Sequence, residues 1–172
     1  MSSPVRGQFR LNVGFLINLP VGESRDFLFD VKKYRFEPDL DLDGISGRAH
    51  ISKAAQGLLV QVEVKAIIQT ECVRCLAPFI LSLKTEFTEL YAFTWDSTTE
   101  SGLTLPDDAH INLEPLLREY MILDIPISPL CNPDCKGLCP ICGENLNEVQ
   151  CNHETEAIDP RLEILKSFLN KK

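Results

Sequence analysis

Long apolar runs are missing from this chain of 172 residues. None approaches the roughly 20 residues that a membrane-spanning helix needs, so the expectation is a protein without a membrane segment. The opening stretch, MSSPVRGQFR, has no apolar core of a secretory signal, and the expected compartment is the reducing cytoplasm. Also missing are a glycine-rich phosphate loop, a His-Glu-x-x-His motif and a recognisable Ser-His-Asp arrangement. With none of these, no catalytic centre and no small-molecule substrate are expected. Asp107 and Asp108 read as a solvated acidic turn rather than an acid/base pair.

Basic charge is nearly absent from one segment. Residues 86–124 hold nine acidic groups and a single basic one, Arg118, and so supply the whole net charge of −8. The rest of the chain is balanced, and residues 1–85 are slightly basic. Charge polarised along a chain can place an anionic face opposite a neutral or cationic one.

What is present is strand patterning. Phe9, Leu11, Val13, Phe15, Ile17 and Leu19 alternate with period two and predict a half-buried strand over residues 9–19. Phe27, Phe29 and Val31 predict a second. The acidic stretch 37–44, EPDLDLDG, reads as a polar turn, followed by a short third strand through Ile45, Gly47, Ala49 and Ile51. The strongest pattern is a pair of long strands, Leu58 to Thr70 and Phe79 to Phe93, joined by a connector carrying Cys72-Val-Arg-Cys75. That is an antiparallel hairpin with a Cys-x2-Cys at its tip. Trp95 lies in an acidic loop over residues 94–110 and is expected to anchor it to the core. Asn112 can cap a helix whose Leu113, Leu116, Leu117, Tyr120 and Met121 share one face, ended by Pro126 and Pro129. Asp159-Pro160 opens a closing helix that buries Leu162, Leu165, Phe168 and Leu169. The fold class is α+β: a twisted antiparallel sheet with a long hairpin, amphipathic helices and a C-terminal cysteine-rich, zinc-ribbon-like module. The expected divisions are a sheet domain over residues 1–126, the cysteine-rich module over 127–158, and the closing helix over 159–172, packed on the core.

Seven cysteines cannot form a complete set of internal disulfides, and a reducing compartment disfavours them in any case. Cys72, Cys75, Cys131, Cys135, Cys139, Cys142, Cys151 and His153 make eight potential ligands, enough for two closed tetrahedral zinc sites. One partition groups Cys139, Cys142, Cys151 and His153 locally and joins Cys72 and Cys75 to Cys131 and Cys135. A rival pairs the two Cys-x2-Cys knuckles with each other. Either way both sites are closed and structural. Two other uses of the thiols are open: a dithiol redox pair at Cys72 and Cys75, beside Arg74, and inert burial as small hydrophobes.

Several of these segments resemble the YceD family, the large ribosomal RNA subunit accumulation proteins. They are Cys72-Val-Arg-Cys75-Leu76, Leu116-Leu117-Arg118-Glu119-Tyr120 running into Ile125-Pro126 and on to Cys131, Cys135-Lys-Gly-Leu-Cys139-Pro-Ile-Cys142-Gly-Glu-Asn-Leu-Asn147, and Asp159-Pro-Arg-Leu-Glu-Ile-Leu-Lys166. The resemblance covers about residues 5–170. It departs at Cys151-Asn-His153, where family members with the full cysteine set often end in Cys-x-Cys; histidine is an acceptable zinc ligand. Some relatives lack most of the C-terminal cysteines, which implies an accessory module. The resemblance implies a non-enzymatic role in making or retaining large-subunit ribosomal RNA, with that RNA or a precursor particle as partner, directly or through a basic ribosomal protein. For direct contact the candidate patch is Lys32, Lys33, Tyr34, Arg35 and Phe36, where cations could neutralise phosphate and aromatics could stack on unpaired bases. The plainer reading puts Tyr34 and Phe36 in the core. Two other classes of function stay open here: a zinc-stabilised protein adaptor unrelated to ribosomal RNA, and a thiol oxidoreductase using Cys72 and Cys75.

Overall fold

A computed structural model describes residues 7–153. The closing helix expected over 159–172, and the last residues of the cysteine-rich module, lie outside the described residues.

The main body is a four-stranded antiparallel meander of β2 (Ser24–Phe36), β3 (Leu40–Lys53), β4 (Gly57–Glu71) and β5 (Pro78–Ala92), each paired with its sequence neighbour. A small second sheet pairs β1 (Arg10–Asn12) with β6 (His110–Asn112). Helix α1 (Gly14–Ile17) is a single turn, and α2 (Glu114–Asp124) follows β6. Alternation decides which sheet face is covered. Leu58, Val60, Val62, Val64 and Ala66 of β4 and Leu83, Thr85, Phe87 and Tyr91 of β5 are buried, with Gln61, Glu63, Lys65, Lys84, Glu86 and Thr88 turned outward. Helix α2 lies on that apolar face, its Leu116, Leu117 and Met121 buried. Tyr120 stacks on Phe87 at 4.3 Å between ring centroids, and its hydroxyl donates to Glu89 Oε1 at 2.6 Å.

The hairpin β4–β5 follows the sequence pattern closely, with the knuckle at its tip. Three expectations need correction. Only residues 10–12 of the predicted first strand are extended; the chain then coils into α1. The Asn12 side chain accepts the Gly14 N–H at 3.0 Å, which turns the backbone away from a ladder. The residues that end up buried, Phe9, Val13 and Leu16, are spaced as on a helix.

The second correction is at 37–44. The turn is only Glu37–Asp39, and β3 already begins at Leu40, with Leu40 and Leu42 buried and Asp41 and Asp43 facing out. Those aspartates are paired across the sheet with Arg35 (3.8 Å) and Lys33 (3.6 Å). Both β2 and β3 switch faces in the same place, beside Lys32–Lys33 and Gly44, whose φ of +59° suits glycine. The third correction is Trp95, which is 75% exposed in a single 3-10 turn (Trp95–Ser97) and anchors nothing within the described chain.

Asn112 does serve the start of α2, accepting the Glu114 N–H at 3.1 Å from just outside the helix, with Pro115 in the first turn. Among the described residues no helix is long and apolar enough to cross a membrane.

Candidate metal centre

The tip of the β4–β5 hairpin is a tight turn. Cys72 N–H donates to the Ala77 carbonyl at 3.0 Å and Leu76 N–H to the Cys72 carbonyl at 2.9 Å, with Leu76 at φ +58°. The turn aims the sulfurs of Cys72 and Cys75 at the segment that leaves α2. That segment is tied down by its backbone: Val73 N–H donates to the Pro129 carbonyl (3.0 Å), and Leu138 N–H to that of Arg74 (3.1 Å). The Arg74 guanidinium adds a bond to the Cys135 carbonyl at 2.8 Å. Gly137, at φ +80°, passes so close that a Cβ would lie 3.1 Å from the Arg74 carbonyl oxygen.

The result is a group of four sulfurs, Cys72, Cys75, Cys131 and Cys135, all within 4.8 Å of one another. Cys72 and Cys135 are 3.8 Å apart, and Cys75 and Cys131 are 3.6 Å apart. A tetrahedron of metal–sulfur bonds of about 2.3 Å has edges of about 3.8 Å. The spacing therefore fits four thiolates around one ion, and it is far from the roughly 2.05 Å of a disulfide. Cys72, Cys75 and Cys135 are buried among Ala77, Phe79, Leu130 and Leu138, while Cys131 is exposed.

Cys139, Cys142, Cys151 and His153 form a second group with ligand atoms within the same 4.8 Å. Its knuckle closes through the Gly143 N–H to the Cys139 carbonyl (2.9 Å), with Gly143 at φ +76°. The Cys139 N–H donates to the Glu144 carbonyl at 2.8 Å. This group is open to water: only Cys139 is buried, and Cys142 and His153 are exposed. The structure thus brings the eight residues together as the first partition has them, and it does not pair the two Cys-x2-Cys knuckles.

Without an ion, each group shares out its charge unevenly. The backbone N–H of Cys131 aimed at Cys72, helped by those of Cys75 and Arg74, draws the Cys72 thiol down to about 6. Contact with the Cys75 thiol, together with burial, pushes Cys131 up to about 12. Cys75 is raised, although the Ala77 N–H favours its thiolate, because burial and its neighbours Cys72 and Cys135 outweigh that bond. Burial acts to raise Cys135, yet the Asn147 amide and the Gly137 N–H hold it lower. In the second group the N–H groups of Cys142 and Ile141 bring Cys139 to about 7, while contact with Cys139 lifts Cys151 to about 11. Four adjacent thiols cannot all ionise unaided, whereas a cation would hold all four as thiolates. The donor sets, four sulfurs and three sulfurs with one imidazole, are those of soft, tetrahedral metal sites.

Of the candidate RNA patch, Lys32, Lys33 and Arg35 are exposed. Tyr34 and Phe36 are 5% and 0% exposed and pack on Phe9, so base stacking by these rings is withdrawn. The strand points alternate side chains to opposite faces, which separates these aromatics from Lys33 and Arg35. Asn147 had no role in the sequence reading, although its Nδ2 donates to Cys135 Sγ at 3.3 Å. The sequence signal for it is its place at the end of the Cys135-to-Asn147 segment that resembles the family, which names the residue but gives it no role.

No solved structure matches the chain. It is similar to an uncharacterized protein of Mycobacterium tuberculosis H37Rv, 37% identical over 126 residues, which is 71% of this chain and 58% of that one. A further uncharacterized protein, from Mycobacterium leprae, is 30% identical over 114 residues, 64% of this chain and 52% of the relative. The chain thus spans little more than half the length of these relatives. A shorter match, 45% identical over 40 residues (23% of this chain and 14% of the relative), is to the maize chloroplastic "large ribosomal RNA subunit accumulation protein YCED homolog 1". Residues 60–169, more than half the chain and inclusive of all eight clustered cysteine and histidine residues, match the family described as large ribosomal RNA subunit accumulation protein YceD, and the chain belongs to that family.

Proposed function

We propose that this protein is a non-enzymatic factor in the accumulation of large-subunit ribosomal RNA, acting during assembly of that subunit in a reducing compartment such as the cytoplasm. The observation that carries the reading is the YceD match over residues 60–169, joined by the plant relatives named for that role. Its partner is the large-subunit RNA or a precursor particle, reached directly or through a basic ribosomal protein. Both cysteine groups hold zinc in this reading, and the second is a zinc-ribbon-like accessory. The Cys72/Cys75/Cys131/Cys135 set would clip the C-terminal module to the hairpin tip, and the Cys139/Cys142/Cys151/His153 set would fold that module. Four donors fill each tetrahedron, so neither ion has a position for substrate or water, and its contribution is rigidity.

A thiol oxidoreductase at Cys72–Cys75 draws support from the low Cys72 thiol. Against it, that sulfur is fully buried against Cys135, at the tip of a hairpin rather than at the start of a helix. A zinc-stabilised adaptor would use the acidic residues of 86–124. The deciding experiment is the ratio of large- to small-subunit ribosomal RNA after depletion in the protein's own host. A selective fall in the large RNA, restored by re-expression, is the expected result. An unchanged ratio in growing, fully depleted cells overturns the assembly reading and leaves the adaptor.

A further inference from the structure

The two cysteine groups are joined by more than chain connectivity. The segment between Cys142 and Cys151 belongs to the second group, yet Asn147 within it reaches the first. Its Nδ2 donates to Cys135 Sγ at 3.3 Å and to Asn145 Oδ1 at 2.7 Å, so both amide protons have partners. Its Oδ1 accepts the Lys136 N–H at 2.8 Å, the residue next to that cysteine. The segment is seated on 136–138 by the Leu146 N–H to the Gly137 carbonyl (2.9 Å) and by an antiparallel bridge between Leu138 and Asn145. A donor aimed at a sulfur favours its thiolate form and fixes the direction of its lone pairs, and such outer-shell partners are worth roughly 10- to 100-fold in metal affinity.

Resting on the zinc reading above, we infer that Asn147 is a positioning residue of the inner, Cys72/Cys75/Cys131/Cys135 centre, delivered by the loop of the outer one. Metal at Cys139/Cys142/Cys151/His153 fixes both ends of that loop, four residues after Asn147 at Cys151 and five before it at Cys142. Without the outer metal the loop is held, among the described residues, by hydrogen bonds of partly exposed groups that water can replace. Occupancy of the outer centre therefore tightens the inner one, and the coupling is reciprocal. Exposure sets the order of events. The outer group, with Cys142 and His153 open to solvent, exchanges its ion first, and the inner group, with three of its four sulfurs buried, follows.

The test uses the full-length zinc-loaded protein and an excess of a coloured zinc chelator. Wild type is expected to release two zinc ions per chain, a fast outer one and a slow inner one. Asn147→Asp keeps the volume and an oxygen for the Lys136 N–H but cannot donate to sulfur. It should speed the slow phase about tenfold and leave the fast phase alone. In the cobalt-loaded protein the thiolate-to-metal absorption of the inner centre should also shift in this variant, which a merely loop-propping role would not cause. Cys142→Ala combined with His153→Ala should abolish the fast phase and accelerate the slow one by a similar factor. Adding Asn147→Asp to that pair should accelerate it little further, because both changes break one path. All three side chains are exposed, so the sheet should keep its circular dichroism. Two bound zinc ions with an unchanged slow phase in Asn147→Asp, or full additivity of the changes, overturns the coupling alone. A wild-type chain that binds no zinc overturns the metal reading and the coupling with it.

Discussion

Thr85 sits on the core face of β5, opposite Val64, at 1% exposure, and its hydroxyl oxygen has no hydrogen-bond partner among the described residues. A buried hydroxyl without a partner loses its hydration for nothing in return. Thr85→Val has nearly the same shape and is expected to stabilise the fold by about 1 kcal/mol, read as a higher urea midpoint at unchanged slope; a lower midpoint would refute it. On the same strand, burial pushes the Tyr91 hydroxyl up to about 12, with the Glu89 carboxylate adding to the shift. Its folded-state value lies above the ordinary 10, so its contribution to stability is complete below pH 10 and is lost as pH climbs toward 12. Urea midpoints at pH 9 and 11 should fall less in Tyr91→Phe than in wild type. Equal falls in the two proteins would assign the alkaline loss elsewhere.

At the scale of elements, the hairpin tip and the segment after α2 meet at four sulfurs and are tied by a few backbone bonds. If the two groups hold zinc as proposed, chelation should open residues 131–153 to a protease while β2 to β5 stay protected, and Cys139→Ser should do so in part. Equal protection with and without chelator would show that the module is held by its apolar contacts alone. The hairpin was legible in the sequence because apolar residues alternate along both strands and a Cys-x2-Cys breaks the pattern between them. The start of β3 was not, because Asp41 and Asp43 carry turn chemistry while the strand uses them as its outward face. Residues 9–17 satisfy two periods at once, and the Asn12 side chain decides between them. The eight cysteine and histidine residues stand out by spacing, but how they group depends on where a hairpin tip lands some sixty residues away in sequence. The role of Asn147 was hidden for the same reason, since it lies in the sulfur that the side chain reaches.

For the molecule as a whole, charge is the feature to test. Arg10 pairs with Asp108, Lys84 with Glu86, and Arg118 with Asp39 at 2.7 Å, and among the described residues no ion pair reaches the other acids of 86–124, Glu100 and Asp107 included. If a basic ribosomal protein is the bridge, its binding should weaken steeply as salt rises, and Glu100→Lys with Asp107→Lys should weaken it at low salt. Salt-insensitive binding would place the contact on another surface. The inner centre also bears on how the chain is made. Cys75 meets Cys131, 56 residues downstream, so at roughly 5–20 residues per second the first thiols wait about 3 to 11 s for their partners. During synthesis the hairpin can pair before its clip exists. The newborn chain passes through a stage with a folded meander and an open pair of cysteines, when oxidants and stray metals compete for a site not yet complete.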